Sequence, residues 1–229
     1  MDRNVIQAIS GFVYSLKYDA LPEEVVEKLK AILLHGTCVG IAGYGMEFAK
    51  IARGVIKIEE TVQDGKGATL LVDGTKVTPM GAAFTNGVMF HSRVQETTHG
   101  TTHIGTIVIP TCLAIAEREN KSGKDFITAM AAGYEVAAAM GRDYTAYTTP
   151  RGFRASPIYG IFGASAAASK LLGLNEEQIT HALAYAAAFA FGTPEAFAAG
   201  TMEWRFENGL AARNGILAAL LAKAGAVGA

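Results

Sequence analysis

Along most of the chain, hydrophobic residues recur three and four positions apart. Leu21-Pro22-Glu23-Glu24 places Pro at a helix start and acids in the first turn, where the helix dipole favours them. Val25, Val26, Leu29, Ile32 and Leu33 then repeat at helical spacing, and the glycines at 36, 40, 43 and 45 are expected to loosen and end that helix. A second helix is predicted over 48–56. The pattern then changes. Ala68-Thr69-Leu70-Leu71, the turn Val72-Asp73-Gly74-Thr75 and Lys76-Val77-Thr78 predict a small hairpin within 68–78, with Asp-Gly supplying the turn chemistry.

After Pro79 the helical spacing returns. Helices are predicted over 81–90 and, with Pro near the first turn, over 110–120. Ser122 is a candidate N-cap for a helix carrying Phe126, Ile127, Met130, Tyr134, Val136 and Met140. An Ala-rich helix is expected over 160–172. Asn175-Glu176-Glu177-Gln178 fits a capping box for a helix to about 191, and a last helix spans about 209–224. Two stretches, 91–109 and 142–157, lack helical signal and are rich in Gly, Thr, Arg, His and Tyr. On a helical scaffold such segments are where binding groups are mounted.

The length fits one large domain or two small ones. The chain holds 40 alanines and 26 glycines in 229 residues without a Gly-X-Y period, as expected of helices packed through small side chains. Half the residues are hydrophobic and mean hydropathy is +0.24, enough for a sizeable core. Twenty basic residues face 21 acidic ones, which removes the electrostatic footprint of a nucleic-acid-binding surface. Met1-Asp2-Arg3-Asn4 carries no apolar signal core. The apolar stretches are interrupted by His35, by Thr193-Pro194-Glu195 or by Lys223, so no membrane partner is expected and the location read is cytoplasmic. Cys38 and Cys112 lie in apolar runs and read as buried thiols of a reducing compartment.

The densest polar cluster is His91-Ser92-Arg93-Val94-Gln95-Glu96-Thr97-Thr98-His99-Gly100-Thr101-Thr102-His103. Histidine is the natural acid or base near neutral pH, and a nearby Glu can orient it. A solvated loop would have the same composition. His99 and His103 have chelating spacing, but Gly100, the paired threonines and Gly105 argue against a helix there, so no metal is expected. Arg154 stands before Tyr159-Gly160-Ile161-Phe162-Gly163, a helix start able to receive an anion. A third cluster is Met202-Glu203-Trp204-Arg205-Phe206-Glu207-Asn208-Gly209. Dinucleotide fingerprints, a Gly-x-Ser-x-Gly elbow and a phosphate loop are absent, and no cofactor is called.

Several segments together resemble the MmgE/PrpD family, whose members include 2-methylcitrate dehydratase, cis-aconitate decarboxylase and iminodisuccinate epimerase. They are Gly81-Ala82-Ala83-Phe84-Thr85-Asn86-Gly87 through His91, His103 through Ile107-Val108-Ile109-Pro110, and Ser122-Gly123-Lys124-Asp125. Further on come Ala132-Gly133-Tyr134-Glu135-Val136, Gly160-Ile161-Phe162-Gly163-Ala164 to Leu174, and Gly209-Leu210-Ala211-Ala212-Arg213-Asn214-Gly215 to Gly225. The resemblance implies a mostly α, all-helical domain over 1–229 with one small β-hairpin, the family's smaller α+β lid being absent from this chain. It also implies a pattern His-x-x-Asp-x-Asp-Asp-Thr before a second His. Here His91, Thr98 and His103 match; Val94, Glu96 and Thr97 stand at the three acid positions. Arg154 replaces a family His, and Trp204, next to Arg205, replaces a family Lys.

The family chemistry builds negative charge on a carbon beside a carboxylate, in substrates carrying two or three carboxylates. The expected function is therefore a divergent lyase or isomerase acting on a small (poly)carboxylic acid by metal-free proton transfer. His103 is the preferred base or acid and Glu96 its orienting partner. Arg93, Arg154 and Arg205 are candidate carboxylate holders; His103, Arg154 and Arg205 should line one cavity with the 91–103 loop on its wall, where His91, Thr98 and His99 are candidates. The alternative is a catalytically silent helical subunit completing a lid-bearing partner. Leu210, Leu217, Leu220 and Leu221 on the last helix suggest a face needing cover, hence a homodimer or a heteromer with a lid-bearing subunit.

Overall fold

The computed structural model describes residues 4–63 and 65–229; the opening Met1-Asp2-Arg3, read above as free of a signal core, lies outside the described residues. The first half contains α1 (Val5–Ser15), α2 (Glu23–Ala42), α3 (Glu47–Glu59), strands β1 (Ala68–Thr69) and β2 (Lys76–Val77), α4 (Pro79–His91) and α5 (Gly105–Arg118). The second half contains α6 (Gly123–Arg142), the short α7 (Thr145–Thr148), α8 (Ala155–Leu171), α9 (Glu176–Ala188), the short α10 (Glu195–Ala199) and α11 (Glu203–Lys223). The mostly α class with one small hairpin holds. None of the helices is long and apolar enough to cross a membrane, among the described residues.

Local chemistry sets most boundaries. Asn175 with Gln178 forms the expected capping box; Ser122 is the expected N-cap and forms a box with Asp125 as well, and Asn4 with Gln7 forms a third that starts α1, a helix the periodicity did not announce. Thr78 accepts from the Gly81 N–H with Pro79 at the first helical position. In the hairpin, Ala68 pairs with Val77 and Thr69 with Lys76, antiparallel. Gly74 takes φ +74° at the turn, and Asp73 accepts from Thr75 at 3.0 Å.

α7 and the first turn of α8 lie in the 142–157 stretch read as lacking helical signal, and α9 ends at Ala188. Packing explains three further differences from the sequence reading. α2 runs through Gly36 and Gly40 to Ala42, because Gly40 is where the buried Phe90 ring comes against the helix; a Cβ there would lie 2.5 Å from the ring. α5 begins five residues before Pro110, and the surrounding fully buried core carries a proline inside a helix. α11 begins at Glu203 rather than Gly209, since Gly209 lies within the helix against the Phe84 carbonyl, which a Cβ would approach to 2.4 Å.

Helix α8 is the central element, buried on nearly every face between α6 and α11; α11 packs in turn on α4 and α9. Leu210, Leu217, Leu220 and Leu221 are consequently half-buried within this chain rather than left open. The exposed large apolar side chains elsewhere include Leu34 and Ile41 on α2 and Ile51, Val55 and Ile58 on α3. Cys112 is buried, but Cys38 is exposed on the outer face of α2, contrary to the sequence reading, because Val39 and Gly40 take the inner face; both thiols are free.

Gly40→Ala should lose about 1–2 kcal/mol of stability, overpacking against Phe90 outweighing the gain in helix propensity. Gly54→Ala on α3, where nothing lies within 4 Å of the added Cβ, should gain about 0.5–1 kcal/mol. Urea unfolding of the two variants checks both signs.

Candidate active site

The polar stretch after α4 is folded back on itself by its own backbone. Ser92 Oγ donates to the Val88 carbonyl at 2.8 Å, and the Gly105 N–H donates to the Thr97 carbonyl at 3.1 Å. His99 and Thr102 exchange backbone hydrogen bonds around Gly100, which takes φ +55°. The Thr97 hydroxyl meets the Tyr134 hydroxyl of α6 at 2.8 Å, and the His103 N–H donates to Ser156 Oγ of α8 at 3.0 Å. These ties turn His91, Glu96 and His103 toward one another and toward Arg154, the residue that opens α8.

The resulting cluster determines its own protonation. Glu96 Oε1 accepts from His91 Nδ1 and lies 2.9 Å from His103 Nδ1, the second contact having ion-pair distance without hydrogen-bond alignment. Arg154 Nη2 stands 2.9 Å from His91 Nε2. A guanidinium only donates, so Nε2 accepts and the ring proton of His91 sits on Nδ1, facing Glu96. Arg154 Nη1 donates to the Trp204 carbonyl and, at 2.9 Å, to Glu207 Oε2. His91, Glu96, Arg154 and Glu207 are all buried.

Burial depresses the His91 pKa below 6.5, against the pull of Glu96 and with the help of Arg154 and His103. Burial alone would raise the Glu96 carboxyl, but His103 and His91 outweigh it and bring the pKa down to about 2. His91 is therefore neutral when folded, whereas the unfolded chain takes up its proton as pH falls through the ordinary imidazole value of 6.5. Stability should start to fall there. The Glu96 contribution is full above its ordinary value of 4.5 and is lost as pH falls toward about 2. Urea midpoints measured from about pH 7.5 down to about pH 3 check this, and His91→Gln should remove the upper part of the slope.

A cavity of about 320 Å³ opens beside the cluster and has His91, His103, Arg154, Ser156, Phe197 and Trp204 on its wall. Of the arginines and loop residues expected to share it, Arg154 does. Arg205 does not. Successive residues on a helix point about 100° apart, so Trp204 faces the cavity and Arg205 lies on its other side. There the guanidinium stacks 3.7 Å from the Trp204 ring and donates to the Ser92 carbonyl at 3.3 Å, in a separate hollow with Phe48 and Met202. Arg93 is exposed and bonded to Gln95 at 2.9 Å. Thr98 and His99 are exposed on the outward turn and lie off the cavity wall, because the His99–Thr102 pairing turns that segment toward solvent.

Two contributors carry no role in the sequence reading: Glu207, named only as part of the third cluster, and Phe197. Glu207 lies on the stripe shared with Ala211, Gly215, Ala218 and Ala222, all buried. A carboxylate on such a face signals a buried cationic partner, here Arg154. Phe197, on the short α10, packs 4.9 Å from Trp204 by ring centroids, and no periodicity marks it.

The donor atoms of His91, Glu96 and His103 lie within 4.8 Å of one another, a set that by composition could hold a cation. Its surroundings oppose that use. Both His91 nitrogens are committed, and the Arg154 guanidinium at Nε2 places a positive charge beside the set.

A family model described as the MmgE/PrpD N-terminal domain matches residues 7–229. Curated relatives include a cis-aconitate decarboxylase-like protein of Aspergillus oryzae, 30% identical over 98% of this chain and 48% of its own length. The cis-aconitate decarboxylases of Homo sapiens and Mus musculus are 32% and 31% identical over 100% of this chain and 48% and 47% of their own lengths. The chain thus spans about half the length of the curated relatives it matches.

Proposed function

Because this chain belongs to the MmgE/PrpD family, we propose that it supplies the proton-transfer site of a lyase or isomerase acting on a small carboxylic acid. The observation that carries this reading is a buried, ionised Glu96 held 2.9 Å from Nδ1 of His103, a histidine on the cavity wall. Nδ1 faces Glu96, so Nε2 is the ring nitrogen left for a ligand. It takes the proton from the carbon next to the substrate carboxylate, and the electron pair moves into that carboxylate. Glu96 stabilises the imidazolium that forms. The carboxylate is received by Arg154, which retains two N–H groups beyond those given to Trp204, Glu207 and His91, and by the start of α8. No step requires a metal, so a chelator should leave the rate unchanged.

The experiment is deuterium exchange. The purified chain, alone and with any co-purifying partner, is incubated in D₂O with mono-, di- and tricarboxylates, and exchange beside the carboxylate is followed by NMR. Exchange that disappears in His103→Ala supports the reading; no exchange with any acid overturns it. The silent-subunit alternative draws its support from the commitment of Arg154 to Glu207, and it expects no exchange by the isolated chain. A homodimer, or a heteromer with a lid-bearing subunit, accompanies the proposal. The open apolar positions of α2 and α3 support it, and light scattering that gives a clean monomer at micromolar concentration counts against it.

A further inference from the structure

The cavity beside His103 is poor in positive charge and rich in hydrocarbon. Val94, Phe153, Pro194, Phe197 and Trp204 lie on its wall, and Phe197 and Trp204 meet at 41° between ring planes to form an aromatic corner. Among the described residues, Arg154 is the sole Arg or Lys on that wall. Its charge is already answered by Glu207 at 2.9 Å. Glu96 adds a second buried carboxylate, and His91 is neutral. With His103 protonated, the two cations Arg154 and His103 balance the two anions Glu207 and Glu96; with His103 neutral, the cluster is net negative. Arg205 cannot help, because it is stacked on the other side of Trp204 and bonded to Ser92.

One carboxylate can be met here by the remaining N–H groups of Arg154. A second or third would find no further Arg or Lys on the wall and would stand near the charge of two buried carboxylates, which is unfavourable. The apolar wall gains instead from covering a ring or hydrocarbon chain, and about 320 Å³ has room for one. We infer that the site takes a monocarboxylate with an apolar, ring-sized body in preference to a di- or tricarboxylate. This rests on the reading of the cavity as a carboxylate site.

The chain contains a single tryptophan, Trp204, which lies on the cavity wall, so tryptophan emission reports on this cavity. The full chain is titrated with 3-phenylpropionate and with propane-1,2,3-tricarboxylate at one pH and one ionic strength. The expected result is a saturable change with 3-phenylpropionate at a Kd about ten-fold or more below that for the tricarboxylate. Phe197→Ala should weaken 3-phenylpropionate about ten-fold; the exposed Arg93→Gln should leave its Kd unchanged. Equal or tighter binding of the tricarboxylate overturns the inference, as does the absence of a saturable response to 3-phenylpropionate. Binding of 3-phenylpropionate with no deuterium exchange on any acid would defeat the catalytic reading and leave this one standing. Tight tricarboxylate binding with exchange would do the reverse.

Discussion

Replacing His103 with alanine should slow carbon–deuterium exchange by about 10²–10⁴-fold, the usual share of a positioned acid or base in a proton-transfer step. On the proposed mechanism the loss falls on kcat and leaves substrate binding nearly intact, because Arg154, Phe197 and Trp204 on the cavity wall would hold the ligand and His103 would act on the proton in flight. His91 presents the contrasting case. Its Nε2 lone pair is occupied by Arg154 and its proton by Glu96, so in the proposed mechanism it orients the Glu96 carboxylate and transfers no proton. Glu96→Gln should cost less than His103→Ala, since His103 would keep its place and lose its counter-ion. A His103→Ala variant with full exchange activity would end the mechanism.

Glu207→Ala is expected to have the largest effect on stability. Glu207 and Arg154 are both more than nine-tenths buried, and removing one partner leaves a charge inside the fold without its counter-ion. Losses of about 3–5 kcal/mol follow from breaking buried pairs in this way, a large part of the 5–15 kcal/mol by which domains are stable. Replacing both partners should be milder than replacing Glu207 alone. Arg154→Met/Glu207→Leu removes the two charges together, although His91 and the Trp204 carbonyl then lose their donor. A double-mutant cycle read by urea unfolding measures the coupling. A loss below about 1 kcal/mol in Glu207→Ala would show the pair to be well solvated.

Where the chemistry is local, the sequence determined the outcome. Capping at Ser122 and Asn175, the turn at Asp73-Gly74 and the helical spacing of α2 and α6 involve residues a few positions apart, so the elements they specify are those the structure contains. The motif segments also determined the family, and with it the helical class. The cluster His91, Glu96 and His103 was legible as a group because one loop carries it.

What only the tertiary structure decided is which charged residues meet. Arg154 reaches His91 across 63 positions and Glu207 across 53, contacts that exist only after α4, α8 and α11 have packed. Three arginines were equal as residues. The fold separated them: it buried Arg154 against Glu207, turned Arg205 behind Trp204 and left Arg93 in solvent. That outcome depends on where a helix starts and which face it buries. The physical cause is hydrophobic burial, which is non-directional and summed over the whole core, whereas hydrogen bonds and charges select partners only within the few ångströms that this packing allows.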